Sequence, residues 1–189
     1  MPESDRATVL VVDDEPEFAD VYALRLDRYE TRTAYGGREA LEAVDDSVDV
    51  VLLDRRMPEV PGDEVLDRIR NTGYNCRVIV LTAVDPGLDI VEMHFDDHLC
   101  KPVKKPDLVA AIEQQLRVQH YDDRLSDYLE VTSKLALLED EFPSPGGAES
   151  EDLADMRERA EELRAALDNA LAEFDDINTA FRQITRSRT

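Results

Sequence analysis

Two hydrophobic periods alternate along the first 118 residues, and this alternation limits the possible fold more than any other feature of the sequence. Short apolar runs rich in β-branched residues indicate strands, and segments with apolar residues at helical spacing indicate helices. We predict strands at 8–12, 31–35, 48–53, 76–81 and 97–100. We predict helices at 17–28, 38–44 and 63–70, around Leu88–Met93, and from Pro106 onward. Five strands alternating with five helices indicate an α/β domain with a parallel sheet that is covered on both faces.

Residues 120–189 lack strand-like runs, and we predict a separate all-α domain there. From Leu153 onward, apolar residues recur at alternating steps of three and four, which is the spacing of a coiled-coil seam. A shorter stripe begins upstream at Tyr121. The segment 142–150 between the two stripes is rich in Pro and Gly and predicts a loop. This pattern indicates a helical hairpin, and its first helix is expected to continue the last helix of the α/β domain.

The charge of the chain argues against several kinds of function. There are 44 Asp and Glu residues against 22 Lys and Arg, which gives a net charge of −22. Residues 121–189 alone hold 18 acids and 8 bases, so neither half is suited to neutralising DNA phosphates or to binding anionic membranes. The apolar runs are also too short to cross a bilayer. We expect a cytoplasmic protein that binds neither nucleic acid nor membranes.

A high content of Asp and Glu, combined with 18 Arg and only 4 Lys, is typical of proteins from a salt-rich cytoplasm, so we expect a halophilic protein. An ordinary soluble acidic protein is the alternative. The two cysteines, Cys76 and Cys100, lie in apolar strand-like contexts at no metal-ligand spacing. We predict that both are buried thiols in a reducing compartment.

Polar residues follow the predicted strands where each one ends. Asp13 and Asp14 follow the first strand, Asp54 ends the third, Thr82 ends the fourth and Lys101 follows the fifth. Parallel strands would bring these side chains to one edge of the sheet. Clustered carboxylates repel each other unless a cation sits among them, and a set of oxygen ligands favours Mg²⁺. A carboxylate beside Mg²⁺ can attack a phosphoryl group, and the lysine and the threonine would contact the phosphoryl oxygens.

These motifs resemble the receiver domain of two-component response regulators, the CheY-like family. The resemblance covers about residues 7–118 and rests on Asp13-Asp14 in VVDDEPE, Asp54 in LLDRRMP with Gly62 eight residues later, Thr82-Ala83 and Lys101-Pro102. It implies a flavodoxin-like (βα)5 fold over residues 1–119, with a five-stranded parallel sheet in the order 2-1-3-4-5. It also implies a histidine kinase as the partner that donates the phosphoryl group.

The resemblance also implies a role for each site residue. Asp54 would be the phosphoacceptor, and Mg²⁺ would be held by Asp13, Asp14, Asp54 and the backbone carbonyl of Arg56. Lys101 would contact the phosphoryl group, as would Thr82 after swinging towards it.

Two positions depart from the family pattern. The family usually has Tyr or Phe three residues before the lysine, as part of the switch with the threonine, and this chain has His98. His98 either does the same packing as a polar ring or also senses pH. Arg55 stands where an apolar residue is common, and either lies over the mouth of the pocket or faces solvent.

The C-terminal domain resembles the HalX-type helical domain found behind receivers in haloarchaeal regulators. That resemblance rests on the Tyr-Asp-Asp-Arg-Leu start, the helix–loop–helix layout and the acidity. Without a basic recognition helix, we expect output through protein contacts, as a homodimer or by docking on an unidentified downstream protein. The alternative is that the seam only closes the hairpin within one chain.

We therefore predict a phosphorylation-controlled signalling switch and not an enzyme with an external substrate. A phosphatase with an aspartyl-phosphate intermediate is the first alternative, but it would carry a second Asp where this chain has Arg56. A phosphate-independent adaptor with a degenerate receiver is the second alternative. The complete set of strand-end residues argues against it.

Overall fold

The computed structural model describes residues 6–83, 93–141 and 151–186, with side chains at 6–83, 93–138 and 152–172. The predicted helix around Leu88–Met93, the predicted loop 142–150 and the side chains of the last four seam positions therefore lie outside the described residues. Two compact units are present, Met1–Arg117 and Val118–Thr189.

The first unit is built on a five-stranded parallel sheet. Its strands are β1 (Thr8–Val12), β2 (Glu30–Ala34), β3 (Val50–Asp54), β4 (Arg77–Thr82) and β5 (Asp97–Cys100). The helices within the described residues are α1 (Pro16–Arg25), α2 (Gly37–Ala43), α3 (Gly62–Thr72), α4 (Lys105–Glu141) and α5 (Glu151–Arg186). The strand order is β2-β1-β3-β4-β5, which confirms the predicted fold class. The connection from β2 to β3 crosses over β1, so β1 and β3 are neighbours inside the sheet.

Alternate residues of the central strands are buried in two separate hydrophobic cores, one on each face of the sheet. On one face, residues such as Leu10, Leu53 and Val80 pack with side chains of α2 and α3. On the other face, residues such as Val11 and Leu81 pack with α1 and the first part of α4. Both faces of the sheet are covered, which explains why its central strands are continuously apolar.

Helical spacing alone does not show which apolar residues of α1 are buried. Phe18 and Val21 are 43% and 41% exposed, whereas Ala19 is fully buried and its small side chain lets the helix approach the sheet closely. One prediction about burial is wrong. We expected a buried thiol at Cys100. Cys76 is buried, but Cys100 is exposed at the last position of the edge strand β5.

Helix α4 runs without interruption to Glu141, so the predicted continuation of the last α/β helix into the tail is confirmed. Within the second unit, both predicted stripes are buried or half-buried where side chains are described. The buried positions are Leu135 on α4 and Ala160, Leu163 and Leu167 on α5. Burial on both helices is what a packed helix pair requires. Among the described residues, no helix is long and apolar enough to be a candidate membrane span.

Candidate phosphoacceptor site

Three carboxylates meet at the carboxyl edge of the sheet. Asp13 and Asp14 follow the last residue of β1, and Asp54 is the last residue of β3. The two strands pair with Val12 opposite Leu53, so the acids that come next stand side by side. One carboxylate oxygen from each acid lies within 4.8 Å of the other two. Asp13 and Asp54 are buried and Asp14 is half-buried, so water screens their mutual repulsion poorly.

Lys101 supplies the positive charge in this cluster. Its Nζ lies 2.6 Å from Asp13 Oδ2 and 2.7 Å from Asp54 Oδ1. The backbone N–H of Lys101 donates to the carbonyl of Thr82 at 2.7 Å, which fixes the point where the lysine side chain leaves the sheet. Asp13 Oδ1 accepts the backbone N–H of Glu15 at 3.0 Å, so both oxygens of this buried acid are bound. One ammonium against three carboxylates leaves an excess of negative charge.

The surroundings of the site shift the pKa values of Asp54 and Lys101. Burial raises the pKa of the Asp54 carboxyl, and the hydrogen bond from Lys101 offsets this only in part. The neighbouring charges of Asp13 and Asp14 raise that pKa further. Burial alone would lower the pKa of Lys101, but its hydrogen bonds to Asp13 and Asp54 outweigh burial and the pKa is raised. Lys101 therefore stays protonated at neutral pH, whereas the ionised form of Asp54 is destabilised by its surroundings.

Gly62 lets the chain after β3 return close to the Asp54 backbone. Its N–H donates to the carbonyl of Arg55 at 3.0 Å, at the start of α3. A Cβ at this position would lie 2.3 Å from the Asp54 carbonyl oxygen and 2.9 Å from Arg55 Cα. The spacing of eight residues between Asp54 and Gly62 thus has a steric cause, since any larger residue would push α3 away from the site.

The other predicted site residues have different surroundings. Thr82 is buried at the end of β4, in register with Cys100 of β5, and so lies at the same edge of the sheet. His98 is exposed, with its ring 6.0 Å from the Phe95 ring in an edge-on arrangement. Arg56 has an exposed side chain. The structure thus groups the three acids with the lysine, and it sets the histidine ring against Phe95 on the surface.

Two further side chains lie near the site, and of these only Arg55 was singled out from the sequence. The ring centroid of Phe18 lies 5.4 Å from Lys101 Nζ. Arg55 forms a two-point ion pair with Asp63, with Nε–Oδ1 at 3.1 Å and Nη2–Oδ2 at 3.3 Å. Arg55 and Asp63 help to line a cavity of about 460 Å³ beside Arg56, so Arg55 does not simply face solvent. The opposite charges of Arg55 and Asp63 were visible in the sequence, whereas nothing in the sequence pattern marks the contact between Phe18 and Lys101.

The donor set fits a hard divalent cation such as Mg²⁺. Carboxylate oxygens are ligands that Mg²⁺ prefers. One oxygen from each of Asp13, Asp14 and Asp54 lies within 4.8 Å of the other two, so all three could contact a single cation. When bound there, the cation would offset the charge of these carboxylates and of an incoming phosphoryl group.

Comparison with known proteins agrees with this geometry. The protein-family model for the response regulator receiver domain matches residues 9–113, and the family model for the HalX domain matches residues 117–184. A Haloferax volcanii protein named "Putative transcriptional regulator" is 45% identical over 176 residues. That match covers 90% of this chain but only 30% of the relative, so the chain corresponds to less than a third of that protein.

Two solved structures show the same fold. The receiver domain of the Francisella response regulator 1452 is 28% identical, with a TM-score of 0.53, and the match covers 59% of this chain and 97% of that one. A CheY-like receiver domain protein from Methanospirillum hungatei is 23% identical, with a TM-score of 0.57 and coverage of 62% and 99%. The chain therefore belongs to the two-component response regulators, with a receiver domain followed by a HalX domain.

Proposed function

We propose that Asp54 accepts a phosphoryl group from a histidine kinase and that the chain acts as a signalling switch, not as an enzyme with an external substrate. An oxygen of Asp54 attacks the phosphorus atom and forms a P–O bond. The P–N bond of the phosphohistidine breaks, and its electron pair passes to the imidazole nitrogen. The observation that carries this proposal is the convergence of Asp13, Asp14, Asp54 and Lys101 within hydrogen-bonding or metal-ligand reach.

Lys101 and the neighbouring acids have separate roles in this proposal. The Lys101 ammonium already contacts Asp54 Oδ1, so it can follow the negative charge onto the transferred phosphoryl oxygens. Asp13 and Asp14 would hold Mg²⁺ together with Asp54 and the carbonyl of Arg56. Thr82 ends the strand beside β5 and would donate its hydroxyl hydrogen bond to the phosphoryl group. His98 on β5 would change position together with the Thr82 side chain, as the ring of the switch.

The decisive experiment is incubation of the chain with acetyl phosphate and Mg²⁺, followed by intact mass measurement. We expect one added phosphoryl group on the wild-type chain and on Asp46→Asn, an exposed acid away from the cluster, and none on Asp54→Asn. An adaptor with a degenerate receiver would gain no phosphoryl group. A phosphatase would release phosphate catalytically from an aryl phosphate, which the switch would not do.

We infer that the HalX domain signals through protein contacts and does not bind DNA. Its 18 acids against 8 bases oppose binding to phosphates. Several of its leucines remain on the surface, including Leu137, which is 71% exposed. Exposed apolar side chains of this kind suit contact with a second copy or with a downstream protein. The relative from Haloferax volcanii carries the name of a transcriptional regulator, and a link to transcription would then run through a protein partner.

Two solution measurements test this output. Sedimentation equilibrium across a salt series, with and without acetyl phosphate, measures self-association, and a monomer under all conditions would reject the homodimer. Fluorescence anisotropy with labelled duplex DNA measures binding to nucleic acid. We expect no anisotropy change at physiological salt, and saturable binding would contradict the proposed mode of output.

A further inference from the structure

Phe18 is a large aromatic residue that the core does not use. It lies in the first turn of α1 and is 43% exposed, while its neighbour Ala19 is fully buried against the sheet. Its ring faces the site instead, with the ring centroid 5.4 Å from Lys101 Nζ. This distance is within the range of about 6 Å in which an ammonium is attracted to the face of an aromatic ring.

The ring differs from the other two partners of the lysine in one physical respect. Asp13 and Asp54 hold the ammonium through full negative charges, at 2.6 and 2.7 Å. Phe18 holds it through the quadrupole of a neutral ring. The neutral ring stabilises the Lys101 ammonium and adds no negative charge that would repel the incoming anionic phosphoryl group. It also retains its attraction when an arriving phosphoryl group competes for the ammonium.

We propose that Phe18 is a positioning residue that acts through Lys101, keeping the ammonium directed at Asp54 while the phosphoryl group is transferred. This inference rests on the proposed role of Asp54 as phosphoacceptor. The lysine stem is long and flexible, and fixing its head before transfer removes an entropic cost from the reaction. The consequence is a faster uptake of the phosphoryl group by Asp54.

The test compares Phe18→Leu, which keeps an apolar side chain without a ring, with Phe18→Tyr, which keeps the ring. Rates of Asp54 phosphorylation are measured with acetyl phosphate at saturating Mg²⁺, because a small donor requires no docked protein partner. We expect Phe18→Leu to slow the reaction about two- to fivefold and Phe18→Tyr to react like wild type. Val21→Ala, an exposed apolar residue on the same helix, should also react like wild type. Thermal unfolding verifies that all variants are folded.

A double-mutant cycle shows whether the effect passes through the lysine. In a Lys101→Ala background, we expect Phe18→Leu to cause no further slowing, because the group that it positions is gone. An equal slowing in both backgrounds, an equal loss in the Leu and Tyr variants, or a wild-type rate in Phe18→Leu would each overturn the inference. Failure of the proposed function would look different, since the wild-type chain itself would then gain no phosphoryl group.

Discussion

At the scale of single residues, the proposed role of Asp54 as phosphoacceptor comes with a cost in the stability of the fold. Its pKa is raised by burial and by the neighbouring acids, so the folded state binds a proton more tightly than the unfolded state does. The stabilisation from that proton is complete below the pKa of the unfolded chain and is lost as the pH rises through the higher pKa of the folded state. At neutral pH the ionised carboxylate therefore destabilises the fold.

We predict that Asp54→Asn raises the thermal unfolding midpoint at pH 7 in the absence of divalent cations. The asparagine resembles the neutral carboxyl, so the gain should shrink as the pH approaches 4. A gain of 1 kcal/mol corresponds to about 2–4 °C for a chain of this size. Calorimetry in EDTA at both pH values measures the effect. Asp46→Asn serves as the control, and an unchanged or lower midpoint for Asp54→Asn at pH 7 would contradict the assignment.

A second prediction at this scale concerns Gly62. The Cβ of Gly62→Ala would collide with the Asp54 carbonyl and the Arg55 backbone, and we expect a loss of roughly 1–3 kcal/mol of unfolding free energy. The displaced Asp54 should also accept a phosphoryl group more slowly. Gly73→Ala is the matched control, since its φ of +84° makes the variant strained but nothing lies within 4 Å. It should destabilise the fold and leave the rate of phosphorylation unchanged.

At the scale of elements, β5 is a four-residue edge strand that needs anchoring because Lys101 follows it. Asp96, just before the strand, provides the anchor. Its Oδ2 accepts the Val78 N–H at 2.6 Å and pairs with Arg70 at 2.5 Å, and its Oδ1 pairs with Arg77 at 3.1 Å. One carboxylate thus ties the entry of β5 to the start of β4 and the end of α3.

We predict that Asp96→Ala lowers the unfolding free energy by roughly 1–3 kcal/mol, because it removes the acceptor of the Val78 N–H and one ion-pair partner of each of Arg70 and Arg77. The control is Asp97→Ala, whose carboxylate accepts the N–H of the adjacent His98 and, within the described residues, forms no hydrogen bond to another element. Urea unfolding of both variants measures the difference. Equal losses would show that the anchor is unimportant.

The elements also show what sequence patterns can and cannot predict. The central strands β1, β3 and β4 were recognised because burial on both faces requires unbroken apolar runs. The strand-end acids were recognised because parallel strands bring their ends together. Phe18 and Val21 fit the helical spacing of α1 yet remain exposed, since periodicity alone does not show that the small Ala19 lies against the sheet. The contact between Phe18 and Lys101 joins residues far apart in the chain, and no local pattern encodes such a contact.

At the scale of the whole molecule, the net charge of −22 is the dominant property. Like charges repel more strongly in the compact state than in the unfolded chain, so salt should stabilise the fold. The screening length falls from about 30 Å at 0.01 M salt to about 10 Å at 0.1 M and about 3 Å at 1 M. Repulsion between neighbouring acids should therefore be largely removed within this range.

We predict that the thermal midpoint rises with KCl, with most of the gain below about 0.5 M. Differential scanning fluorimetry across a KCl series measures this, and NaCl should give the same curve because screening depends on ionic strength. A rise confined to molar concentrations would instead indicate exclusion of salt from the protein surface. A flat curve would contradict the role of charge repulsion.

The exposed Cys100 has a practical consequence. It is adjacent to Lys101, while the other sulfhydryl, Cys76, is buried with a raised pKa and is poorly reactive. A maleimide dye should therefore label the unmutated chain at a single place, one residue from the ammonium that contacts Asp54. Changes in the dye's emission would then follow the arrival and the loss of the phosphoryl group in real time.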